Sequence, residues 1–233
     1  MIKNTSFLRN DFIAHRGIYD NIKVPENSIV SFKEAIKNEY PIELDVRLTK
    51  DNKVVVFHDK NLLRLCNINK LVKDTNYSEL KDYKLLNTNN YIPLLEEVLK
   101  IVNGKIPIII ELKIDRKNFT LEREVIKFLN NYHGLYAIQS FSPLSIIYFK
   151  MKYPHIIRGL LIKNNKYLGL YSLITKPNFI SYNIKRVSKN KILKYKNKYL
   201  LLGWTVKNKE EYLRNKDICD NLICENIKNI KEW

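Results

Sequence analysis

Four short runs place ionisable side chains at spacings that chemistry can use: His15-Arg16-Gly17, Glu43-Leu44-Asp45, His58-Asp59 and Glu111-Leu112-Lys113. Residues two apart on an extended strand point to the same side. Glu43 therefore shares a face with Asp45, and Glu111 with Lys113. Turned against packed helices, two carboxylates would be costly to bury, so the opposite face is expected. Three carboxylates brought to one place repel one another, and a hard divalent cation relieves that repulsion. All-oxygen ligation by Glu43, Asp45 and Glu111 points to Mg²⁺ or Ca²⁺ rather than zinc. His15 and His58 supply a general base and a general acid near neutral pH. Arg16 and Lys113 can neutralise a bound phosphate. Together these groups suit phosphodiester cleavage. Each is weak alone: a single strand-end histidine is more often a structural hydrogen-bonder, and Glu-x-Asp is usually surface. Four such runs at strand ends in one chain are harder to dismiss.

The elements that position these runs are legible in the apolar pattern. Strands are expected at Asp11–Ala14, Pro41–Val46, Pro107–Leu112, Tyr136–Ser140, Ile157–Ile162, Asn178–Ser181, Tyr199–Val206 and Asn221–Cys224. Helical patterns lie between most of them. Ile29, Phe32, Ala35 and Ile36 form one apolar face, with Asn27 and Ser28 as candidate caps. Leu94 to Val102 reads as a helix with Pro93 in its first turn. Leu121, Val125, Ile126, Phe128 and Leu129 form another face. Eight strands alternating with helices imply an α/β fold, a (β/α)8 TIM barrel spanning residues 1–233 as a single domain. Val54–Phe57 breaks the alternation. The connection from Arg47–Thr49 is too short for a parallel crossover. This strand must return antiparallel, turning at Asp51-Asn52, which adds a β-hairpin and a short excursion after strand two. The hairpin brings His58 close to Asp45.

Composition excludes several classes. The 233 residues carry 41 Lys and Arg against 24 Asp and Glu, a formal net charge of +17. Hydrophobic residues make up 45%, enough for a substantial core and too many for global disorder. Cys66, Cys219 and Cys224 lack metal-finger spacing and fit a reducing compartment. Neither a secretory signal nor an apolar run of the roughly 18–20 residues of a membrane span is evident, so a soluble cytoplasmic protein is expected. The charge is uneven: residues 125–209 hold 16 Lys and Arg and no Asp or Glu. Biased codon composition accounts for some of this, and a positive face for anions is the functional reading. KRVSKNKILKYKNK (185–198) reads as one helix with a solvated Lys face, with RNA contact as the alternative. His133 and His155 read as surface loop residues.

HRGIYDNIKVPENS followed by IELDVRLTKDNKVVVFHD resembles the signature of glycerophosphodiester phosphodiesterases. The resemblance runs from Phe12 to Asn226, through IPLLEEVL, IIIELK, IQSFSP, GWTV and LICEN. It implies a TIM barrel and metal-dependent hydrolysis of glycerophosphodiesters to an alcohol and glycerol 3-phosphate. On matching positions it makes His15 and His58 the acid–base pair. It makes Glu43, Asp45 and Glu111 the ligands of one divalent cation, and Arg16 and Lys113 phosphate contacts. It places Asn27 and Trp204 along the site. A neighbouring glycerol hydroxyl, rather than water, is an alternative first nucleophile. Three departures stand out. Cys224-Glu225-Asn226 replaces a Thr-Asp ending. The glycine before strand two is absent, with Asn38 the candidate left-handed residue. The stretch after Asp59 is Lys/Asn-rich and is expected to wall the leaving group.

The expected partner is a small glycerophosphodiester. A second reading is lysophospholipase D-like activity at an anionic membrane surface, docked through the basic 125–209 region. The least favoured is a noncatalytic barrel binding anions or RNA; nucleic acid is not the expected partner.

Overall fold

The computed structural model describes residues 5–227. Its strands are β1 (Ile13–His15), β2 (Ile42–Leu48), β3 (Val54–Val56), β4 (Ile108–Leu112), β5 (Tyr136–Ser140), β6 (Arg158–Ile162), β7 (Phe179–Asn183), β8 (Leu200–Val206) and β9 (Asn221–Cys224). Between them lie α1 (Ile29–Lys37), α2 (Leu63–Cys66), α3 (Tyr77–Leu80), α4 (Leu95–Val102), α5 (Thr120–Leu129), α6 (Pro143–Lys152), α7 (Leu168–Thr175), α8 (Lys189–Ile192) and α9 (Lys209–Asn215). This is a (β/α)8 barrel with one added hairpin strand. All eight expected barrel strands are present, with ends displaced by no more than two residues.

The chain forms two compact units: Arg16–Leu135, and residues 5–15 with 136–227. In the first, β2 pairs parallel with β4 and antiparallel with β3. The short connection to β3 forces that reversal. Asn52 takes a left-handed φ of 58° at the turn, and the Thr49 N–H donates to the Lys53 carbonyl at 3.0 Å. Every residue of β2 and β4 is buried. Ile42, Leu44 and Val46 alternate with Glu43, Asp45 and Arg47 along β2, so one face is apolar and the other charged. Beyond β3 the chain builds a small core of its own. Phe57, Leu62, Leu65, Val72, Leu80 and Leu85 pack into it, so residues 57–92 stand on an apolar base. In the second unit, six strands pair in parallel in the order β1-β9-β8-β7-β6-β5.

Local signals set the helix ends. At the start of α1, the Ser31 N–H donates to Ser28 Oγ and the Ser28 N–H donates to Ser31 Oγ, both at 3.1 Å, a reciprocal cap. In α4, the Leu94 N–H donates to the Glu97 carboxylate at 2.7 Å. Leu95, Val98, Leu99 and Val102 are buried along one stripe. Each such buried side chain contributes about 2 kcal/mol of transfer free energy.

Three local expectations need correction. Pro93 lies before the residue that caps α4, because Leu94 is still extended at ψ 151°. Asn38 is not left-handed; Glu39 is, at φ 58°, and makes the turn into β2. The stretch 185–198 is not one helix but the single turn α8 followed by a 3₁₀ turn, Leu193–Tyr195. Ile192 is its only buried residue across those two turns, too little apolar surface to hold a longer helix against the core.

Arg16 and Gly17 both have positive φ, 60° and 82°, and this tight turn follows β1 directly. A Cβ at Gly17 would lie 2.6 Å from Ser31 Oγ and 2.9 Å from its backbone carbon. At Gly104, also left-handed at φ 74°, a Cβ would meet nothing nearer than 3.5 Å. Gly17→Ala is expected to cost about 2–4 kcal/mol, and Gly104→Ala about 1 kcal/mol. Urea unfolding of the two variants checks this: equal costs would show that the Ser31 contact is relieved without strain.

Candidate active site

The parallel register of β2 and β4 sets Asp45 level with Glu111 and Glu43 level with Ile109. Glu43, Asp45 and Glu111 therefore converge, each offering an oxygen within 4.8 Å of the others. They are nearly sealed from solvent, at 1%, 0% and 6% exposure. Lys113, just past β4, is held by its N–H to the Val46 carbonyl at 3.0 Å. Its ammonium reaches Asp45 Oδ1 at 3.0 Å and Glu111 Oε1 at 2.6 Å. Arg16 Nε lies 3.2 Å from Asp45 Oδ2. Asn27, left-handed at φ 54°, turns its amide to the same carboxylate and donates to Oδ2 at 2.9 Å.

Two cations do not balance this cluster. Burial pushes the Glu43 carboxyl well above the usual carboxylate range, and the charges of Asp45 and Glu111 push it further. Burial also raises Glu111, with Asp45 adding to the shift and Lys113 opposing it. A site of buried, mutually repelling carboxylates fits a divalent metal ion, and the all-oxygen donor set fits a hard one.

His58 follows β3 and belongs to the same unit. The Phe57 N–H donates to the Asp45 carbonyl at 2.9 Å. Arg47, two residues beyond Asp45 on the charged face, donates from Nε and a terminal nitrogen to the His58 carbonyl at 2.9 and 2.6 Å. The next step is an ionic chain. His58 Nδ1 lies 2.6 Å from Asp59 Oδ1, and Asp59 Oδ2 accepts from Arg64 Nε at 2.7 Å. Arg64 grips Glu26 through both terminal nitrogens at 2.9 and 2.7 Å. Glu26 in turn accepts from Arg16 at 2.7 Å. The chain runs from the His58 ring to the Asp45 carboxylate through alternating charges.

The remaining candidates lie in the other unit. His15 ends β1. Its Nδ1 is 3.1 Å from Oε1 of Glu225, whose other oxygen is 2.8 Å from Lys207 Nζ. The Glu225 N–H is held by the Val206 carbonyl at 2.8 Å. Burial favours a protonated Glu225, but hydrogen bonds from His15 and Lys207 outweigh it and draw its pKa down to about 2. Trp204 lies near the carboxyl end of β8, its ring edge-on to Phe141 at 5.7 Å between centroids. Its indole Nε1 is buried with no partner among the described residues.

Local reasoning brought together Arg16, Glu43, Asp45, His58, Glu111 and Lys113, and the structure clusters their elements in one unit. It missed Glu26, Arg47 and Arg64. Arg47 carried a signal, because it shares the strand face of Glu43 and Asp45. Glu26 adjoins Asn27, and Arg64 has no local mark at all. Cys219 and Cys224 are buried and Cys66 partly so, and all three are free thiols.

Burial alone would raise Glu26, yet hydrogen bonds from Arg64 and the charge of Arg16 hold it down at about 2, against an ordinary 4.5. A folded-state pKa below the unfolded one stabilises the protein above the unfolded value. That contribution fades as pH falls from 4.5 through about 2. Wild type should exceed Glu26→Gln by about 3 kcal/mol at neutral pH, and the gap should close across this acid window. Denaturant titrations at several pH values check it, and a gap constant with pH would refute the ionic origin.

Comparison with known proteins agrees with this geometry. Residues 15–228 match the model of the glycerophosphoryl diester phosphodiesterase family. YhdW of Bacillus subtilis is 35% identical over 214 residues, covering 85% of this chain and 86% of the relative. Human lysophospholipase D GDPD1 is 33% identical over 135 residues, covering 52% of this chain and 41% of the relative. A phosphodiesterase of Oleispira antarctica, solved in complex with its product sn-glycerol 3-phosphate, superposes with a TM-score of 0.88. It shares 20% identity and covers 97% of this chain and 96% of its own. With the family match spanning nearly the whole sequence, the chain belongs to the glycerophosphoryl diester phosphodiesterase family and is a phosphodiesterase.

Proposed function

We propose that this enzyme hydrolyses soluble glycerophosphodiesters to an alcohol and glycerol 3-phosphate, with a bound divalent cation and two histidines moving protons. The observation that carries this reading is the buried carboxylate cluster of Glu43, Asp45 and Glu111, set beside the fixed cations Arg16 and Lys113. Glu43, Asp45 and Glu111 are the residues that would hold the ion. When bound, Mg²⁺ or Ca²⁺ supplies positive charge that stabilises the phosphoryl oxygens as the phosphorus centre becomes more crowded. Arg16 and Lys113 bind the phosphate from the protein side. Asn27 orients Asp45, and Trp204 offers a flat apolar wall to the glycerol or leaving-group side.

Both histidines carry a carboxylate on Nδ1, Glu225 for His15 and Asp59 for His58. Such a partner keeps the proton on Nδ1 in the neutral ring and steadies the ring once charged. Nε2 is then the atom that exchanges protons. One histidine takes a proton from the nucleophile, either water or the adjacent glycerol hydroxyl. The other gives a proton to the departing alkoxide as the P–O bond breaks. In the hydroxyl route a cyclic phosphate forms first, and water opens it. The three free cysteines accord with a cytoplasmic setting.

A second reading, release of head groups from lysophospholipids, is favoured by the likeness to human lysophospholipase D GDPD1. That likeness spans 41% of the relative, so the soluble diester remains the first choice.

Release of glycerol 3-phosphate from glycerophosphocholine and glycerophosphoethanolamine tests the main reading. Activity should vanish in EDTA and return with Mg²⁺ or Ca²⁺. His15→Ala and His58→Ala should each lower kcat by about 10²–10⁴-fold. Activity unaffected by EDTA, or by loss of either histidine, counts against it. Release of choline from lysophosphatidylcholine, with no glycerol 3-phosphate formed from either soluble diester, would favour the second reading.

Glu225 acts through His15, so its loss should be milder. Glu225→Gln should lower kcat by about 10–100-fold, leave KM nearly unchanged, and be largely rescued by Glu225→Asp. An equal fall in both variants, or a rise in KM alone, would remove Glu225 from this role.

A further inference from the structure

The helices α6 and α7 leave an apolar surface facing solvent. On α7, Leu168, Ser172 and Thr175 are buried. The opposite side shows Leu170 at 53%, Leu173 at 62% and Ile174 at 46% exposure. These positions, i, i+3 and i+4, form one stripe. The eight residues of α7, LGLYSLIT, contain no charge at all. On α6, which packs beside it, Leu144 and Met151 are exposed at 56% and 72%. Lys150 of α6 reaches across to the Ile174 carbonyl at 3.1 Å, which ties the two helices together.

Exposed aliphatic side chains gathered on one face of a helix, rather than scattered singly, mark an interaction site. Its surroundings identify the partner's charge. Lys150 and Lys152 occupy the last turn of α6, and Lys166 and Lys176 bracket α7. Lys166 sits over the Tyr167 ring at 5.1 Å, and Tyr167 stacks on Tyr171 at 5.2 Å. No Asp or Glu occurs anywhere between residues 125 and 209. Aliphatic side chains in a stripe, tyrosines beside it and lysines flanking it match the interface of an anionic bilayer: hydrocarbon below, negative head groups around it. Aliphatic residues give a nucleic acid neither stacking nor base-edge hydrogen bonds. A second copy of this chain would set like-charged lysines against one another.

We propose that the α6–α7 face docks this enzyme onto anionic lipid bilayers, with Leu170, Leu173 and Ile174 entering the acyl boundary and the flanking lysines meeting lipid phosphates or carboxylates. This goes beyond the hydrolysis reading and does not depend on which diester is cleaved, since binding is read without turnover.

The test is sedimentation of the full-length protein with vesicles of phosphatidylcholine alone, and of phosphatidylcholine mixed with phosphatidylglycerol, at physiological salt. Binding to the mixed vesicles only is expected. The double variant Leu173→Ser/Ile174→Ser should weaken it at least tenfold, and Lys166→Ala/Lys176→Ala should weaken it severalfold. Both variants should keep the wild-type circular dichroism spectrum and a cooperative urea transition, which shows that they fold. No binding to the mixed vesicles overturns the proposal, as does binding that the Leu173/Ile174 variant leaves unchanged. Equal binding to the neutral vesicles overturns it as well, because the lysines would then contribute nothing. A dimer in analytical ultracentrifugation that the same variant dissolves would assign the face to a second copy instead.

Discussion

Burying like charges together is the constraint that organises the Arg16–Leu135 unit. Glu43, Asp45 and Glu111 share a space almost closed to water, and their repulsion must be offset within that space. Arg16 and Lys113 do part of this. A guanidinium beside a buried carboxylate must itself be held, and Glu26 holds Arg16. Glu26, doubly gripped by Arg64, extends the alternation of charge to Asp59 and so to the His58 ring. Each member satisfies its neighbour, and removing one exposes the next to an unbalanced charge. The backbone serves the same end: consecutive left-handed residues at Arg16 and Gly17 turn the chain so that the guanidinium meets Asp45.

The two histidines meet the same kind of partner by different routes. His58 takes its carboxylate from the next residue in sequence, and His15 takes its own from across the chain, 210 positions away. In both, the carboxylate lies against Nδ1. The Glu225 carboxylate also binds Lys207, and His15 and Lys207 together hold its pKa down at about 2 against the burial that would raise it. The Glu side chain in Cys224-Glu225-Asn226 reaches His15 from just past β9.

Much of this was readable in the sequence because it depends on short periods. Alternation at i and i+2 put Glu43 with Asp45, and the brief link between β2 and β3 forced the hairpin that brings His58 back. Apolar spacing located α1, α4 and α5. What escaped is non-local. Arg64 meets Glu26 only because the excursion after Asp59 folds on its own apolar core. The Lys-rich stretch 185–198 reads as a helix by propensity. It becomes two short turns because Val187 and Ile192 are its only buried side chains. On α7, Leu168 is buried while Leu170 and Leu173 face water, a division that only the structure shows.

The central claim is that the carboxylate cluster is completed by a divalent cation. Isothermal titration of chelator-stripped protein with Mg²⁺ and with Ca²⁺, in wild type and in Asp45→Asn, addresses it most directly. The account predicts saturable binding of one ion per chain in wild type, strongly weakened in the variant. Absence of binding in wild type, or equal binding in the variant, would contradict it.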